Sequence, residues 1–126
     1  MRAVDTNVLV RLITRDDKKQ VESAEEFVSK GAWVSHLVLA QTSWVLDSVY
    51  DRTREDIAKA VEMLLSHEHL TLQDQDVVEA AVEKFRQHKG VTFSDVLVLE
   101  IARKSGHVPL GTFDRNLAKL QGGKRL

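Results

Sequence analysis

Three acidic residues have positions at which a carboxylate could do chemistry. Asp5 ends the first apolar segment, Asp95 opens an apolar helical segment, and Asp114 follows the last predicted strand. An acid at the end of an apolar strand needs a hydrogen-bond donor or a cation to offset its desolvation. Mg²⁺ and Mn²⁺ both prefer carboxylate and water oxygens, and the chain contains no Cys as a soft ligand. The residue types therefore predict a divalent-cation site formed by these three acids.

Each acid also has a purely structural interpretation. Asp5 fits the start of a turn, Asp95 complements a helix dipole, and Asp114 fits a helix N-cap. Taken singly, the structural role is the more frequent one for such residues. The metal-site hypothesis depends on all three side chains meeting in space.

Alternating strands and helices would bring these acids together. Strands are predicted at residues 3–5, 32–34, 70–72 and 108–110, and helical periodicity fills the intervals between them. Ser35 and Thr53 both fit helix N-caps, and the apolar residues after Thr53 recur at helical spacing. This order predicts an α/β fold with a parallel sheet covered on both faces. Ligands of such folds bind at the carboxyl ends of the strands, where the three acids are expected.

Composition limits the class of protein. The length of 126 residues predicts a single domain over residues 1–126, and the formal net charge of −1 excludes a uniformly basic nucleic-acid-binding surface. Residues 103–126 nevertheless carry six Lys and Arg against one acid, Asp114, which indicates a local basic patch. No apolar run approaches the length of a membrane span, and no signal peptide is recognisable. We therefore expect an unprocessed cytoplasmic protein that does not bind membranes.

Four ordered motifs resemble a known family. The string from Val4 to Arg11 is similar to the opening of PIN-domain ribonucleases of the VapC toxin type. Residues 34–46, 93–95 and 111–114 then follow in the family's order and approximate spacing. The resemblance implies a three-layer α/β/α sandwich with a parallel sheet of four or five strands. It also implies Mg²⁺-dependent endonucleolytic cleavage of RNA, a small antitoxin partner and a homodimer.

The resemblance also implies roles for individual residues. Asp5 and Asp95 would be the principal metal ligands, Asp114 a further carboxylate, and Gln41 would occupy the remaining catalytic position. Asn7 and Thr112 would orient the carboxylates or water. Arg11 and Arg115 would contact substrate phosphates.

One residue departs from the family pattern. Gln41 stands where the family has Glu. An amide keeps one carbonyl acceptor but loses a negative charge and adds a donor that repels a cation. Asp47 cannot replace the missing carboxylate, because it lies about 240° around the same predicted helix. The chain is therefore either a weakened nuclease, natural or inactivated by substitution, or one in which three acids suffice.

Other functions remain open at this stage. A non-cleaving domain that binds RNA or an antitoxin is the strongest alternative. A phosphoreceiver domain is disfavoured because Asp5 has no acidic neighbour and no Lys directly follows residues 108–110. A phosphatase that forms an aspartyl-phosphate would have a second Asp where Asn7 stands.

The aromatic and histidine residues add little to these hypotheses. The pattern of apolar neighbours predicts that Trp33, Trp44, Phe27 and Phe85 belong to the core rather than to base-stacking surfaces. The His67-Glu68-His69 segment has i, i+2 spacing, which does not favour a metal site on a helix.

Overall fold

Seven helices and five short strands make up the computed structural model, which describes residues 1–126. The helices are α1 (Thr6–Thr14), α2 (Lys18–Val28), α3 (His36–Ser48), α4 (Arg54–Ser66), α5 (Gln75–Gln87), α6 (Phe93–Lys104) and α7 (Arg115–Ala118). The strands are β1 (Arg2–Ala3), β2 (Ala32–Val34), β3 (Leu70–Leu72), β4 (Leu110–Thr112) and β5 (Gly123–Arg125). None of the helices is long and apolar enough to cross a membrane.

Short polar side chains begin most of the helices. In each case a side-chain oxygen accepts a backbone N–H of the first turn, which satisfies a group that has no partner within the helix. The capping residues are Asp5, Asp17, Ser35, Thr53, Thr92 and Asp114. Two of the three candidate acids, Asp5 and Asp114, therefore also have a structural role.

The strands pair in parallel, which confirms the predicted α/β class. Strands β1, β2 and β3 form one ladder in that order, and β4 and β5 form a second. The register of the first ladder aligns Ala3 with Trp33 and Val34 with Leu72. The five strands are therefore divided between two ladders rather than joined in one continuous series of hydrogen bonds.

Two strand boundaries differ from the predictions, and one strand is additional. The first strand ends at Ala3 rather than at residue 5, because Asp5 caps α1. The fourth strand begins at Leu110 instead of ending there. Strand β5 was not predicted at all.

A cluster of 28 buried residues forms the hydrophobic core. Helix α3 packs against α1, α4 and α6, and α5 packs against α4 and α6. Helix α3 buries Thr42 and Ser43, whose hydroxyls donate to the carbonyls of Val38 and Ala40 at 2.7 and 2.8 Å. These local hydrogen bonds allow two polar residues to face the core.

Helix α6, predicted from the sequence as an apolar segment, contains a buried charge and an exposed side chain. Glu100 is buried, with only 5 % exposure, and its Oε2 lies 3.0 Å from Lys84 Nζ and 3.2 Å from Arg103 Nε. Val98, on another face, is half exposed. The buried charge is therefore paired with two cations, one of them from α5.

Candidate functional site

The first motif and Gln41 meet between α1 and α3. Asp5 Oδ1 accepts the backbone N–H of Val8 at 3.3 Å. The hydroxyl of the next residue, Thr6, donates to Gln41 Oε1 at 2.7 Å. The structure thus brings together two candidate segments that are separated by 35 residues.

Asp95 lies in the first turn of α6 and is half-buried. Its backbone N–H donates to the Thr92 hydroxyl at 3.1 Å, so the cap of α6 fixes the position of its main chain. Because α3 packs against α6, the helix that carries Asp95 adjoins the helix that carries Gln41.

Arg54 fixes the segment that leads into α6. Its guanidinium donates to the carbonyls of Phe85, His88 and Val91 at distances between 2.6 and 2.9 Å. The guanidinium carbon also lies 4.0 Å from the centre of the Phe85 ring. Burial lowers the pKa of Arg54 from its ordinary value. The three hydrogen bonds hold the chain immediately before Thr92 and Asp95.

Asn116 connects the same segment to the Asp114 motif. Asp114 Oδ1 accepts the N–H groups of Asn116 and Leu117, and the Asn116 side-chain amide donates to the Gly90 carbonyl at 3.2 Å. A Cβ atom at Gly90 would lie 2.7 Å from the Asn116 side chain. A larger residue at position 90 would therefore require the Asn116 side chain to move.

Strand β5 places basic residues beside the Asp114 motif. Lys124 pairs with Gly111, and Arg125 pairs with Thr112. Both basic residues are exposed, as is Arg115 at the start of α7. Two of the six basic residues counted from composition thus lie along β4, the strand that leads into Asp114, whereas Arg103 and Lys104 of α6 form ion pairs with Glu100 and Asp76.

Arg11, in contrast, has partners within the protein. Its Nη1 lies 3.1 Å from Asp16 Oδ1 and 2.9 Å from the Tyr50 hydroxyl, and its Nε donates to Gln20. The Tyr50 hydroxyl and then Thr14 are the largest causes that lower the pKa of Asp16. A phosphate contact by Arg11 stays a prediction, and it would compete with this network.

Asn7 and Thr112 have different surroundings. Asn7 is exposed and lines a groove of about 440 Å³ between α1 and α2, together with Arg11. The Thr112 hydroxyl accepts the backbone N–H of Asp114 at 3.0 Å. Thr112 therefore orients the main chain of the Asp114 motif.

The donor set suits a hard cation, although the carboxylates are not gathered around one point. All candidate ligands are oxygen atoms, and Asp5 and Asp114 each use only one carboxylate oxygen for capping. No group of three or more His, Cys, Asp or Glu side chains in the structure is arranged to hold a metal ion. The chemistry of the residues fits Mg²⁺ or Mn²⁺, whereas the side-chain positions do not form a completed site.

Trp44 corrects one prediction. Its side chain is 64 % exposed, so it does not belong to the core, and Trp33 is also partly exposed. Phe85 is buried as predicted, and Phe27 is partly buried against the core. Trp44 lines a small cleft beside the N-terminus of α6.

Sequence reasoning missed three contributors to this region: Arg54, Asn116 and the basic strand β5. Arg54 follows the predicted cap Thr53, so the sequence marked it only as a first-turn residue. Asn116 lies two residues after Asp114, and a polar side chain so close to a candidate acid was a usable signal. The role of Lys124 and Arg125 depends on a strand pairing that leaves no pattern in the sequence.

Comparison with protein families agrees with the resemblance seen in the motifs. The family model described as PIN domain matches residues 2–123, a range that includes all four candidate catalytic positions. Comparison with curated proteins and with solved structures gave no match.

Proposed function

Because the chain belongs to the PIN domain family, we propose that it is a metal-dependent endoribonuclease of the toxin type whose activity is limited by Gln41. PIN domains are typically nucleases, and they generally use divalent metal ions. The observation that carries the proposal is the hydrogen bond from Thr6 to Gln41, which joins the Asp5 motif to the position where the family has Glu.

In this proposal Asp5, Asp95 and Asp114 hold Mg²⁺ or Mn²⁺. When bound, the ion lowers the pKa of a water molecule and neutralises charge that develops on the phosphate. Thr112 holds the main chain of the Asp114 motif, and Asn7 orients a carboxylate or the water. Gln41 contributes an oxygen without a charge, so the site has one carboxylate fewer than the family pattern.

An acidic site repels the phosphates of RNA, and basic residues must offset that repulsion. Arg115, Lys124 and Arg125 are exposed next to the Asp114 motif. We assign phosphate contacts to these three residues. We also assign one to Arg11, where the phosphate would compete with the hydrogen bonds that Arg11 forms within the protein.

The first prediction concerns Gln41. The wild-type chain should cleave RNA weakly or not at all with Mg²⁺, and Gln41→Glu should raise the rate by about tenfold or more, because metal-site partners typically contribute 10- to 100-fold. Thr6 can donate to a carboxylate as it does to the amide, so the substitution keeps the local hydrogen bond. Cleavage of a labelled single-stranded RNA, with and without EDTA, measures the effect.

Two controls make this test specific. Gln87→Glu adds the same charge on α5, away from α3, and should leave the rate unchanged. Asp5→Asn in the Gln41→Glu protein should abolish cleavage. Equal cleavage by wild type and Gln41→Glu would show that Gln41 does not limit activity, and full activity of the Asp5→Asn protein would refute the site.

A second candidate function is a non-cleaving domain that binds RNA or an antitoxin. Two observations favour it: Gln41 replaces a carboxylate, and the remaining acids are not gathered into a group of three. RNA binding without cleavage by either the wild type or Gln41→Glu would support this alternative.

We also propose a small antitoxin protein that covers the site, and a homodimer of this chain. Both parts of the proposal rest on the resemblance to the toxin type. Phe113, beside Asp114, is 81 % exposed and gives a covering partner an apolar contact. Light scattering of the purified chain tests the dimer, and a single monomeric mass at all concentrations would refute it.

A further inference from the structure

We propose that the indole of Trp44 is a stacking platform for one unpaired nucleotide of RNA, and that Arg52 binds the adjoining phosphate. The inference deepens the proposed function, since it assigns a substrate subsite beside the candidate catalytic residues. It applies equally to cleavage and to binding without cleavage.

The position of Trp44 on α3 links it to the site. Residues three apart on a helix are neighbours on its surface, so Trp44 lies one turn beyond Gln41 on the same face. The indole is 64 % exposed, although the adjacent Ser43 is buried. A large aromatic ring is thus presented to solvent one helical turn from the Thr6–Gln41 contact.

The cleft next to Trp44 combines apolar residues (Ile57, Phe85 and Phe93) with polar and basic ones. It is lined on one side by Trp44 and Asp47 of α3, and on the others by Arg52, Arg54 and the start of α6. Arg54 is already committed to three backbone carbonyls. The Arg52 guanidinium forms no hydrogen bond or ion pair with the protein, so it is available to a phosphate.

Two hydroxyl groups complete the cleft. Thr92 Oγ1 and Ser94 Oγ lie 3.3 Å apart at the N-terminus of α6, and both residues line the cleft. Hydroxyls and a helix N-terminus are frequent contacts of phosphate and sugar groups. Asp95, a candidate metal ligand, directly follows Ser94.

The small size of the cleft, together with the exposed indole and the unpaired Arg52 beside it, favours RNA over an apolar protein segment. Its volume of about 90 Å³ is well below the roughly 300 Å³ at which small-molecule pockets begin. A ligand must therefore lie across the opening, where the exposed indole offers a flat surface for a base. A protein partner would find little volume in which to insert an apolar side chain, whereas an RNA base can stack on the exposed indole with its phosphate beside Arg52.

Fluorescence of Trp44 tests the inference without any need for catalysis. Trp33→Phe leaves Trp44 as the only tryptophan of the chain. Titration of this full-length variant with a short single-stranded oligoribonucleotide, in EDTA to prevent cleavage, should quench the emission to saturation. A duplex of the same sequence should quench it much less, because its bases are already stacked.

Substitutions of Trp44 separate stacking from general apolar contact. Trp44→Leu should weaken the affinity for the oligoribonucleotide by about 5- to 100-fold, in line with base–aromatic stacking at other proteins. Trp44→Phe should retain most of the affinity, because it keeps an aromatic face. Circular dichroism should show all these variants folded, since the side chain contributes little to the core.

Arg52→Ala should reduce the slope of log affinity against log salt by about 0.7, the value for one phosphate contact to a single strand. Lys30→Ala, just before β2, serves as the matched control and should leave the slope unchanged.

RNA binding with unchanged Trp44 emission and unchanged affinity of Trp44→Leu would overturn the inference while leaving the proposed function intact. Complete absence of RNA binding would also overturn the inference about Trp44. The proposed function is tested separately, by whether the Gln41→Glu protein cleaves RNA.

Discussion

At position 41, a single atom distinguishes the glutamine of this chain from the glutamate of the family pattern. Replacing a carboxylate oxygen by an amide nitrogen keeps the size of the side chain and the hydrogen bond from Thr6. It removes one negative charge from the four acidic positions of the family pattern. The identity of residue 41 is therefore expected to affect metal affinity far more than the stability of the fold.

Glu100 is the residue whose charge matters most for stability. Its buried carboxylate joins Lys84 of α5 to Arg103 of α6, and Arg103 also donates to the Gln121 carbonyl before β5. We expect Glu100→Ala to lower the free energy of unfolding by about 2 to 3 kcal/mol, because charge-assisted hydrogen bonds are lost and two cations lose their anionic partner. Urea denaturation measures the change.

An exposed ion pair provides the comparison. Glu55, which is more than half exposed, also pairs with an arginine, Arg86. Glu55→Ala should lower the free energy of unfolding by about 1 kcal/mol or less, as is usual for surface pairs. A loss for Glu100→Ala as small as that for Glu55→Ala would contradict the structural role assigned to Glu100.

Among the elements, the segment before α6 is held from two sides, by Arg54 and by Asn116. Gly90 lacks a left-handed backbone, so an alanine is compatible with its main chain and only the contact with Asn116 opposes it. Gly90→Ala should lower the free energy of unfolding by about 1 to 3 kcal/mol through overpacking. Thermal or urea denaturation provides the measurement.

A second substitution identifies the cause. Asn116→Ala removes the side chain that an alanine at position 90 would contact, so the double variant should lose less stability than the two single losses combined. Gly111→Ala is the control, because its Cβ would meet Leu126 at an ordinary 3.4 Å. Strict additivity of Gly90→Ala and Asn116→Ala would show that the close approach has no energetic effect.

The pairing of α4 with α5 should produce a measurable pH dependence. Glu62 Oε2 lies 2.5 Å from Arg86 Nη1, and this hydrogen bond lowers the pKa of Glu62 below its ordinary 4.5. A lowered pKa in the folded state stabilises the fold above pH 4.5, and the contribution is lost as the pH falls through the folded-state value. Wild type should thus exceed Glu62→Gln in melting temperature near pH 7, and the two should converge in acid.

The control for this prediction is Glu22→Gln on α2, since Glu22 forms no ion pair. Its melting temperature should follow that of wild type at every pH. A difference between wild type and Glu62→Gln that stayed constant between pH 7 and pH 3 would show that the ion pair is not its source.

Elements that depend on signals within one turn could be predicted from the sequence. Elements that depend on contacts between distant segments were missed. The caps Ser35 and Thr53 could be predicted because capping involves only residues within one turn. Strand β5 could not, because it has no alternating pattern and exists only through its pairing with β4. Trp44 was misplaced because α3 has apolar residues around most of its circumference, while Thr42 and Ser43 face the core.

The same division applies to the candidate site. The residue types and their order predicted which acids to consider, and family membership supports that order. The participation of Arg54, Asn116 and Arg125 depends on contacts between distant segments, which spacing does not reveal. The predicted convergence of the three acids stays a prediction that metal binding must test.

At the scale of the whole molecule, the net charge of −1 conceals an uneven distribution. Strand β5 places Lys124 and Arg125 along the strand that leads to Asp114. We expect the double variant Lys124→Ala and Arg125→Ala to bind single-stranded RNA more weakly, with a salt dependence reduced by about 1.4, or about 0.7 for each phosphate contact. Fluorescence anisotropy at several salt concentrations measures both quantities.

The matched control removes two charges from another part of the molecule. Lys18 and Lys19 begin α2, which packs against α1. Their replacement by alanine changes the net charge by the same amount and should leave the salt dependence close to that of wild type. Equal effects of the two double variants would indicate that only the overall charge matters.

The division of the strands into two ladders also sets an order of events during synthesis. Strand β4 has β5 as its hydrogen-bonded neighbour, so it cannot pair until residues 123–125 have left the ribosome. The ladder whose first strand leads into Asp5 requires only residues up to Leu72 and can form earlier. Under the proposed function, the segment with Asp114 and its basic strand is therefore completed after the ladder that leads into Asp5, so the two halves of the candidate site form at different times.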